Sequence, residues 1–225
     1  MISINIATQE KRLPFLIHAI ESLKNQTVQA DVIRVYANGF SPILPGVEVK
    51  TGRNRADNGK FYWKPKRGEI YFTCDDDLFY PPDYVENTLK RLKVYPECIV
   101  SYHGRKLLGR QRGYYNGHET YHCLGKVRYD AIIDVPGTGV MAFNSKYFKH
   151  YGIANEPDLK MADVVAGLYA SRQNVEVVCL AHDGFWIKDI NTNDGGIYVE
   201  ARNNDSRQTE LCDQILDNKY PISFV

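Results

Sequence analysis

The sequence has no long apolar run, no closely spaced cysteine pair and almost no net charge. No stretch approaches the ~20 apolar residues that cross a bilayer, and the start, MISINI, lacks the basic residues and long apolar core of a signal peptide. The five cysteines are scattered without a CxxC pair, which favours reduced thiols in the cytosol. Because the formal net charge is +1, any basic surface must be local. We therefore expect a cytoplasmic protein, or one that is peripheral at a membrane.

Strand and helix patterns alternate in the first half of the chain. Apolar alternation predicts a strand at 2–7, and apolar residues at helical spacing predict a helix at 14–25. With a second strand at 31–37, this order indicates a parallel pair joined by a right-handed crossover. The further predicted elements are strands at 47–50, 70–74 and 98–102 and a helix at 82–94. The sequence therefore predicts an α/β fold whose mostly parallel sheet is flanked by helices, in a single domain over 1–225.

The second half of the chain is less regular. Residues 103–130 are basic and rich in tyrosine. The elements predicted after them are strands at 132–135, 140–143 and 175–180, a helix from 156 to 173, a turn at 193–196 and a last helix near 205–216.

Three carboxylates, Asp75, Asp76 and Asp77, follow the predicted strand at 70–74. Alternate residues of an extended chain point the same way, so Asp75 and Asp77 are expected to face together. Adjacent carboxylates repel one another, and a bound cation relieves that repulsion. The loops at 8–12 and 38–40 should converge with the triplet at the carboxyl ends of the strands, where open α/β sheets bind ligands. The alternative is a polar turn whose Asp caps the helix that begins near 82.

Three segments together resemble the small nucleotide-sugar glycosyltransferases of the GT-A fold, close to the family 2 type. They are DNGKF at 57–61, the acidic triplet with YPPDY at 80–84, and MAD at 161–163 ahead of HDG at 182–184. The resemblance implies a Rossmann-like GT-A fold. It divides the domain into a nucleotide-sugar-binding half (1–102), an acceptor and catalytic half (103–190) and a C-terminal tail (191–225).

The resemblance also implies a reaction, a donor and a metal. The enzyme would be a metal-dependent, inverting glycosyltransferase acting on a hydroxyl of a glycan or lipid-linked glycan, with Mn²⁺ or Mg²⁺ neutralising the departing diphosphate. In similar enzymes the first carboxylate of the DxD motif contacts the ribose and the last holds the metal. Here Asp77 is favoured as metal ligand with Asp75, while the role of Asp76 stays open. The implied donor-binding residues are Thr8, Arg12, Asn38, Asp57, Lys60, Asp75 and Asp76. A UDP-sugar is the expected donor, although Asn38 stands where many relatives carry an Asp that reads uracil.

The acceptor side is assigned by the same resemblance. Asp163 is the expected general base, although Ala162 stands where relatives carry a further acid; its alternative is an acid that the dipole of a helix favours in the first turn. His182 is a candidate third metal ligand, and its alternative is a structural hydrogen-bonding residue. The expected acceptor-binding residues are Gly137, Thr138, Gly139 and Trp186. A core position is the alternative for Trp186.

Two other functions are compatible with the sequence. The basic, tyrosine-rich stretch at 103–130 could hold a nucleic acid, which allows a transferase that glycosylates a hydroxylated base in DNA. A degenerate fold could instead bind nucleic acid or sugar nucleotide without turnover. His118, His122 and Cys123 offer zinc ligands, but the absence of a second ligand pair disfavours a zinc site. The sequence leaves the oligomeric state open.

Overall fold

The computed structural model describes residues 1–110, 113–190 and 205–219. Its strands are β1 (Ile2–Thr8), β2 (Val32–Asn38), β3 (Glu48–Gly52), β4 (Ile70–Cys74), β5 (Leu78–Phe79), β6 (Ile99–Ser101), β7 (Gly104–Leu107), β8 (His118–Tyr121), β9 (Ala131–Ile133), β10 (Val135–Pro136), β11 (Val140–Asn144), β12 (Val177–Cys179) and β13 (Lys188–Asp189). Its α-helices are α1 (Leu13–Lys24), α2 (Tyr84–Val94), α3 (Ala162–Arg172) and α4 (Ser206–Lys219), and short 3₁₀ helices lie at Glu10–Arg12, Ala56–Phe61 and Ile153–Asn155. Within the described ranges, none of the helices is long and apolar enough to cross a membrane.

The centre of the fold is an eight-stranded sheet in the order β3-β2-β1-β4-β11-β6-β12-β9. Strand β1 pairs in parallel with β2 and β4, β2 pairs in parallel with β3, and β6 pairs in parallel with β12. Strand β11 is antiparallel to both β4 and β6, and β9 is antiparallel to β12. The predicted mostly parallel α/β sheet is confirmed, and it takes strands from both halves of the chain.

Two apolar cores lie on opposite faces of this sheet, because neighbouring residues of a strand point to opposite faces. Phe72 of β4 packs in one core with Leu16 of α1 and other residues of α1 and α2. Tyr71, the residue before it, packs in the other core with Leu168 of α3 and residues of α4. Burying each such side chain contributes roughly 1.5–3 kcal/mol. Helices therefore cover both faces, and the edge formed by the carboxyl ends of the parallel strands is left for a site.

The structure corrects two predicted elements and confirms a third. The strand predicted at 132–135 is interrupted at Asp134, whose buried carboxylate accepts hydrogen bonds from the main-chain N–H of Leu107 (2.9 Å) and from Lys219 Nζ (2.7 Å). The helix predicted from 156 begins only at Ala162, because Lys160 has a φ of 62°, outside the helical region. The last predicted helix is α4, whereas the predicted turn at 193–196 lies outside the described residues.

Candidate active site

The carboxyl ends of β1, β2 and β4 border a cleft of about 350 Å³. The loops that follow these strands converge there, as the parallel order predicts. Every residue predicted to bind the donor lines this cleft, together with Asp77: Thr8, Arg12, Asn38, Asp57, Lys60, Asp75, Asp76 and Asp77. The cleft therefore gathers a set of side chains that lie far apart in the sequence.

Asp76 is the buried member of the acidic triplet. Its Oδ2 accepts a hydrogen bond from the hydroxyl of Thr8 (2.6 Å), and its Oδ1 accepts from Nε of Arg12 (2.8 Å). A second nitrogen of Arg12, Nη2, lies 2.7 Å from the same Oδ1. Both oxygens of Asp76 are thus used within the protein, so its geometry indicates a support for the cleft rather than a ligand of the donor.

The other two members of the triplet, Asp75 and Asp77, also line the cleft, and each pairs with a basic side chain. Asp75 forms an ion pair with Lys60, and Asp77 lies 2.6 Å from Nη2 of Arg12. Burial and repulsion by Asp75 raise the pKa of Asp77 to about 6, although Arg12 opposes the shift. The carboxylates of Asp75 and Asp77 therefore repel each other, as the sequence predicts. Lys60 beside Asp75 and Arg12 beside Asp77 offset this repulsion.

Lys60 lies buried at the end of the 3₁₀ helix Ala56–Phe61. Burial opposes its charged form, but Asp75 and Asp57 outweigh that effect and raise its pKa, so Lys60 is cationic at neutral pH. The preceding residue, Gly59, allows the helix to pack against β2, because a Cβ at that position would lie 2.7 Å from the ring of Tyr36. The tight packing positions the ammonium at the floor of the cleft.

The donor set of the cleft fits a divalent cation of the Mg²⁺ or Mn²⁺ class. Such ions prefer carboxylate oxygens, and Asp75 and Asp77 offer them side by side at the end of β4. A cation would also relieve the repulsion that raises the pKa of Asp77. Lys60 and Arg12 would have to yield part of their contact with these carboxylates.

Asn38 lines the cleft but has its amide fully occupied. Its Nδ2 donates to the carbonyl oxygens of Thr8 (2.9 Å) and Ala56 (3.1 Å), and its Oδ1 accepts from the N–H of Arg55 (2.7 Å). The side chain thus ties together the ends of β1 and β2 and the start of the 3₁₀ helix. These bonds favour a role in shaping the cleft over direct recognition of a base.

Asp163, the predicted base, lies in the first turn of α3 and is fixed through one oxygen. Its Oδ1 accepts hydrogen bonds from the N–H (2.8 Å) and the hydroxyl (2.7 Å) of Thr138. No described residue donates a hydrogen bond to its Oδ2, which is free to accept a proton. At the start of the same helix, Asp57 Oδ2 accepts the N–H of Ala162 (3.0 Å), so the 3₁₀ helix that carries Lys60 also positions α3.

The turn Gly137–Thr138–Gly139 connects the two groups of carboxylates. A Cβ on Gly139 would lie 1.9 Å from Oδ2 of Asp75, and a Cβ on Gly137 would lie 2.6 Å from the Cβ of His103. Only glycine allows the backbone to approach Asp75 so closely. Gly139 also accepts a hydrogen bond from the buried hydroxyl of Tyr80 (2.7 Å). The turn predicted to bind the acceptor therefore holds Asp163 on one side and abuts Asp75 on the other.

A second cavity, of about 330 Å³, adjoins the first. Asp57, Lys60, Asp75 and Lys160 line both cavities, whereas Asp163 and Thr138 line only the second. Its remaining wall comes from the second half of the chain: Arg105, Tyr114, Tyr115, Met161, Val164 and Gln208. A molecule in the first cavity would therefore meet one in the second beside Asp75 and Lys60.

Four predicted site residues line neither cavity: Gly137 and Gly139, which flank Thr138, and His182 and Trp186. Both ring nitrogens of His182 lie near main-chain carbonyl oxygens, of Leu180 (2.8 Å) and His122 (3.3 Å), in agreement with the structural alternative. Trp186 donates its indole N–H to Asp83 (3.0 Å) and packs on the rings of Tyr84 and Tyr102. Nothing in the geometry supports His182 as a metal ligand or Trp186 as an acceptor contact.

The sequence pattern did not single out His103. The structure places it against Gly137 of the turn. Burial lowers its pKa to about 4, although Asp163 opposes the shift, so the ring is neutral at neutral pH. It replaces His118 in the candidate zinc group, since His103, His122 and Cys123 have ligand atoms within 4.8 Å of one another.

The hydrogen bonds of these histidines weigh against a zinc site. The Nδ1 atoms of His103 and His122 accept the N–H groups of Cys123 (3.4 Å) and Leu124 (3.2 Å). A neutral imidazole that accepts at Nδ1 carries its proton on Nε2. Neither ring then offers a free lone pair to a cation.

The arrangement of the sheet, with its cleft at the strand ends and helices on both faces, is a GT-A-like fold. No family model matches the sequence, and no curated protein matches it. Among solved structures, the chain is similar to residues 1–349 of TarS from S. aureus, a GT-A-like glycosyltransferase. The TM-score is 0.52 at 12% sequence identity, and the match covers 99% of this chain and 72% of that one. At this identity the likeness shows the fold.

Proposed function

We propose that the protein is a metal-dependent, inverting glycosyltransferase that moves a sugar from a nucleotide-diphosphate sugar to an acceptor hydroxyl. The observation that carries the proposal is the shared wall of the two cavities, where Asp75 and Lys60 face both the candidate donor cleft and the cavity of Asp163. A transfer reaction requires such an arrangement, because donor and acceptor must meet within reach of a base. The GT-A-like fold, which TarS also has, supports the proposal.

Asp163 would act as the general base. The acceptor hydroxyl would give its proton to Oδ2 of Asp163 as its oxygen attacks the anomeric carbon of the donor sugar. The bond from that carbon to the diphosphate breaks as the oxygen attacks from the opposite face, and this displacement inverts the configuration. Thr138 holds the other oxygen of Asp163 through two hydrogen bonds, so the carboxylate needs little reorganisation to receive the proton.

The donor would occupy the cleft with its diphosphate near Lys60. The buried ammonium of Lys60 offers a fixed positive charge to the leaving diphosphate. Asp75 and Asp77 would hold the divalent ion, Mn²⁺ or Mg²⁺, which supplies Lewis-acid neutralisation of the diphosphate when bound. Thr8 and Arg12 support the cleft through Asp76. A UDP-sugar is the favoured donor, and a glycan or lipid-linked glycan is the favoured acceptor.

Hydrolysis of a panel of nucleotide sugars in the presence of Mn²⁺ tests this proposal. We expect wild-type protein to release a nucleoside diphosphate from at least one donor, and Asp77→Asn to lose that activity. Asp183→Asn is the matched control, because Asp183 is exposed and its carboxylate pairs with Lys126, outside both cavities. Wild-type protein that cleaves no donor would support a binding protein without turnover. Equal rates in wild type and Asp77→Asn would contradict the assigned metal ligand.

A further inference from the structure

Arg105 is the basic residue that strand β7 contributes to the second cavity. It lines the same cavity as Asp163 and Thr138, although β7 belongs to the three-stranded sheet β10-β7-β8 and not to the central sheet. Its main-chain carbonyl accepts the N–H of Asp134 (2.9 Å), and β7 is held between β8 and β10. The backbone of Arg105 is therefore held in place, and its side chain lines the cavity.

The guanidinium of Arg105 has no anionic partner within the described ranges. Its Nε is buried and makes no hydrogen bond, and the side chain forms no ion pair with another described residue. It stacks over the ring of Tyr114, with 5.0 Å between the guanidinium carbon and the ring centroid. The next residue, Lys106, does have an anionic partner, because its Nζ lies 3.3 Å from the carboxylate of Asp134.

An unpaired guanidinium is unexpected in a cavity that already contains carboxylates. Asp57, Asp75 and Asp163 line the same space, yet none of them pairs with Arg105. Lys60, by contrast, is engaged by Asp75. A buried donor without a partner is unfavourable, and a guanidinium suits the oxygens of a phosphate or carboxylate. Asp163 thus has Thr138 as its partner in this cavity, whereas the guanidinium of Arg105 pairs with no carboxylate of the described residues.

We propose that Arg105 binds an anionic oxygen group, a phosphate or a carboxylate, of the acceptor whose hydroxyl meets Asp163. This inference rests on the proposed function and narrows its substrate to acceptors that carry negative charge near the reacting hydroxyl. Tyr114 would hold the guanidinium flat beneath that group through its ring face. The same chemistry can come from a phosphate or a carboxylate of the acceptor, and the test below separates these two sources.

The buried Nε–H of Arg105 allows a direct test by NMR. Full-length ¹⁵N-labelled protein is first titrated with UDP, GDP, ADP and CDP in the presence of Mg²⁺, to identify and saturate the donor cleft. Inorganic phosphate is then added, and acetate in a parallel sample, while the arginine Nε–H resonances are followed. The spectrum of Arg105→Lys assigns the signal by its absence. Arg128, an exposed arginine outside both cavities, provides the internal control.

We expect the Arg105 resonance to shift saturably with at least one anion, while that of Arg128 does not. A response to phosphate alone identifies a phosphorylated acceptor, and a response to acetate alone identifies a carboxylated one. If a nucleotide binds but neither anion shifts the Arg105 signal beyond the change at Arg128, the inference is wrong and the proposed function stands. If no nucleoside diphosphate binds, the proposed function fails and the inference fails with it.

Discussion

Thr138 donates two hydrogen bonds to a single oxygen of Asp163, one from its main-chain N–H at 2.8 Å and one from its hydroxyl at 2.7 Å. This contact joins the turn before β11 to the first turn of α3. It leaves the second oxygen of Asp163 directed to no described donor. Because Gly139 of the same turn abuts Asp75, one short segment sets the relative positions of the candidate base and the candidate metal ligands.

Asp163→Asn tests the role of the base. The amide oxygen can still accept the bonds from Thr138, but the amide cannot take a proton from the acceptor. We expect the transfer rate to fall by roughly 10²–10⁴-fold, with donor affinity little changed. Glu86→Gln is the matched control, because Glu86 is also an acid in the first turn of a helix. Equal activity in Asp163→Asn and wild type would favour the dipole alternative.

Thr138→Val tests whether the hydroxyl orients the base. The main-chain bond to Oδ1 of Asp163 remains, but the second bond to the same oxygen, from the hydroxyl, is lost. We expect stability to fall by ~1 kcal/mol and the turnover rate to fall about tenfold, equivalent to ~1.4 kcal/mol in the barrier. Thr138→Ser keeps the hydroxyl and should restore most of the rate. A Ser variant as slow as the Val variant would contradict an orienting role.

The sequence predicts those parts of the site that depend on strand order, and fails where long-range contacts decide. Parallel strands place their carboxyl ends together, so the meeting of Thr8, Asn38 and Asp75 follows from the alternation of strands and helices. The bonds from Thr138 to Asp163 depend on how a turn docks on a helix, which no local pattern encodes.

His182 is a second residue whose position depends on long-range contacts. It follows a predicted strand, as expected for a residue at the edge of the sheet. However, its main chain pairs with Val127 in an isolated bridge, and its ring lies against the carbonyls of Leu180 and His122. That pairing involves a segment whose pattern predicts no strand, so the position of the ring was not predictable.

Metal binding should depend on pH through Asp77. Burial and Asp75 raise the pKa of Asp77 to about 6, so a cation must displace a proton below that pH. We expect the Kd for Mn²⁺, measured by calorimetry from about pH 5 to about pH 8, to fall as the pH rises and to level off above about 6. Asp77→Asn should bind weakly and show a flatter profile. An unchanged slope in this variant would assign the titration to another group.

The raised pKa of Asp77 has the opposite consequence for the stability of the metal-free protein, which it lowers as the pH rises. The pKa of Asp77 is 3.8 in the unfolded reference and about 6 in the folded protein, so the folded state binds more protons between these values. The Asp77 contribution to stability is therefore present below about pH 4 and is lost as the pH rises through about 6. Relative to wild type, Asp77→Asn should gain stability above about pH 6 in unfolding measurements without metal.

Gly139→Ala should separate the geometry of the site from the stability of the fold. The added Cβ would lie 1.9 Å from Oδ2 of Asp75, so the carboxylate must move and its ion pair with Lys60 must weaken. The side chain of Asp75 is 40% exposed, and it can rotate away without disturbing the core. We therefore expect a loss of ~1 kcal/mol or less in the free energy of unfolding, with a large rise in the Kd for donor and metal.

Gly184→Ala is the control for that experiment. A Cβ at Gly184 would have its nearest neighbour at 3.6 Å, an ordinary contact, and the residue lies outside both cavities. Both variants are to be compared by chemical unfolding and by titration with donor and Mn²⁺. Because only Gly139→Ala displaces Asp75, only that variant should lose affinity. If Gly139→Ala binds donor and metal as wild type does, Asp75 is not required at this position and the assignment of the cleft is wrong.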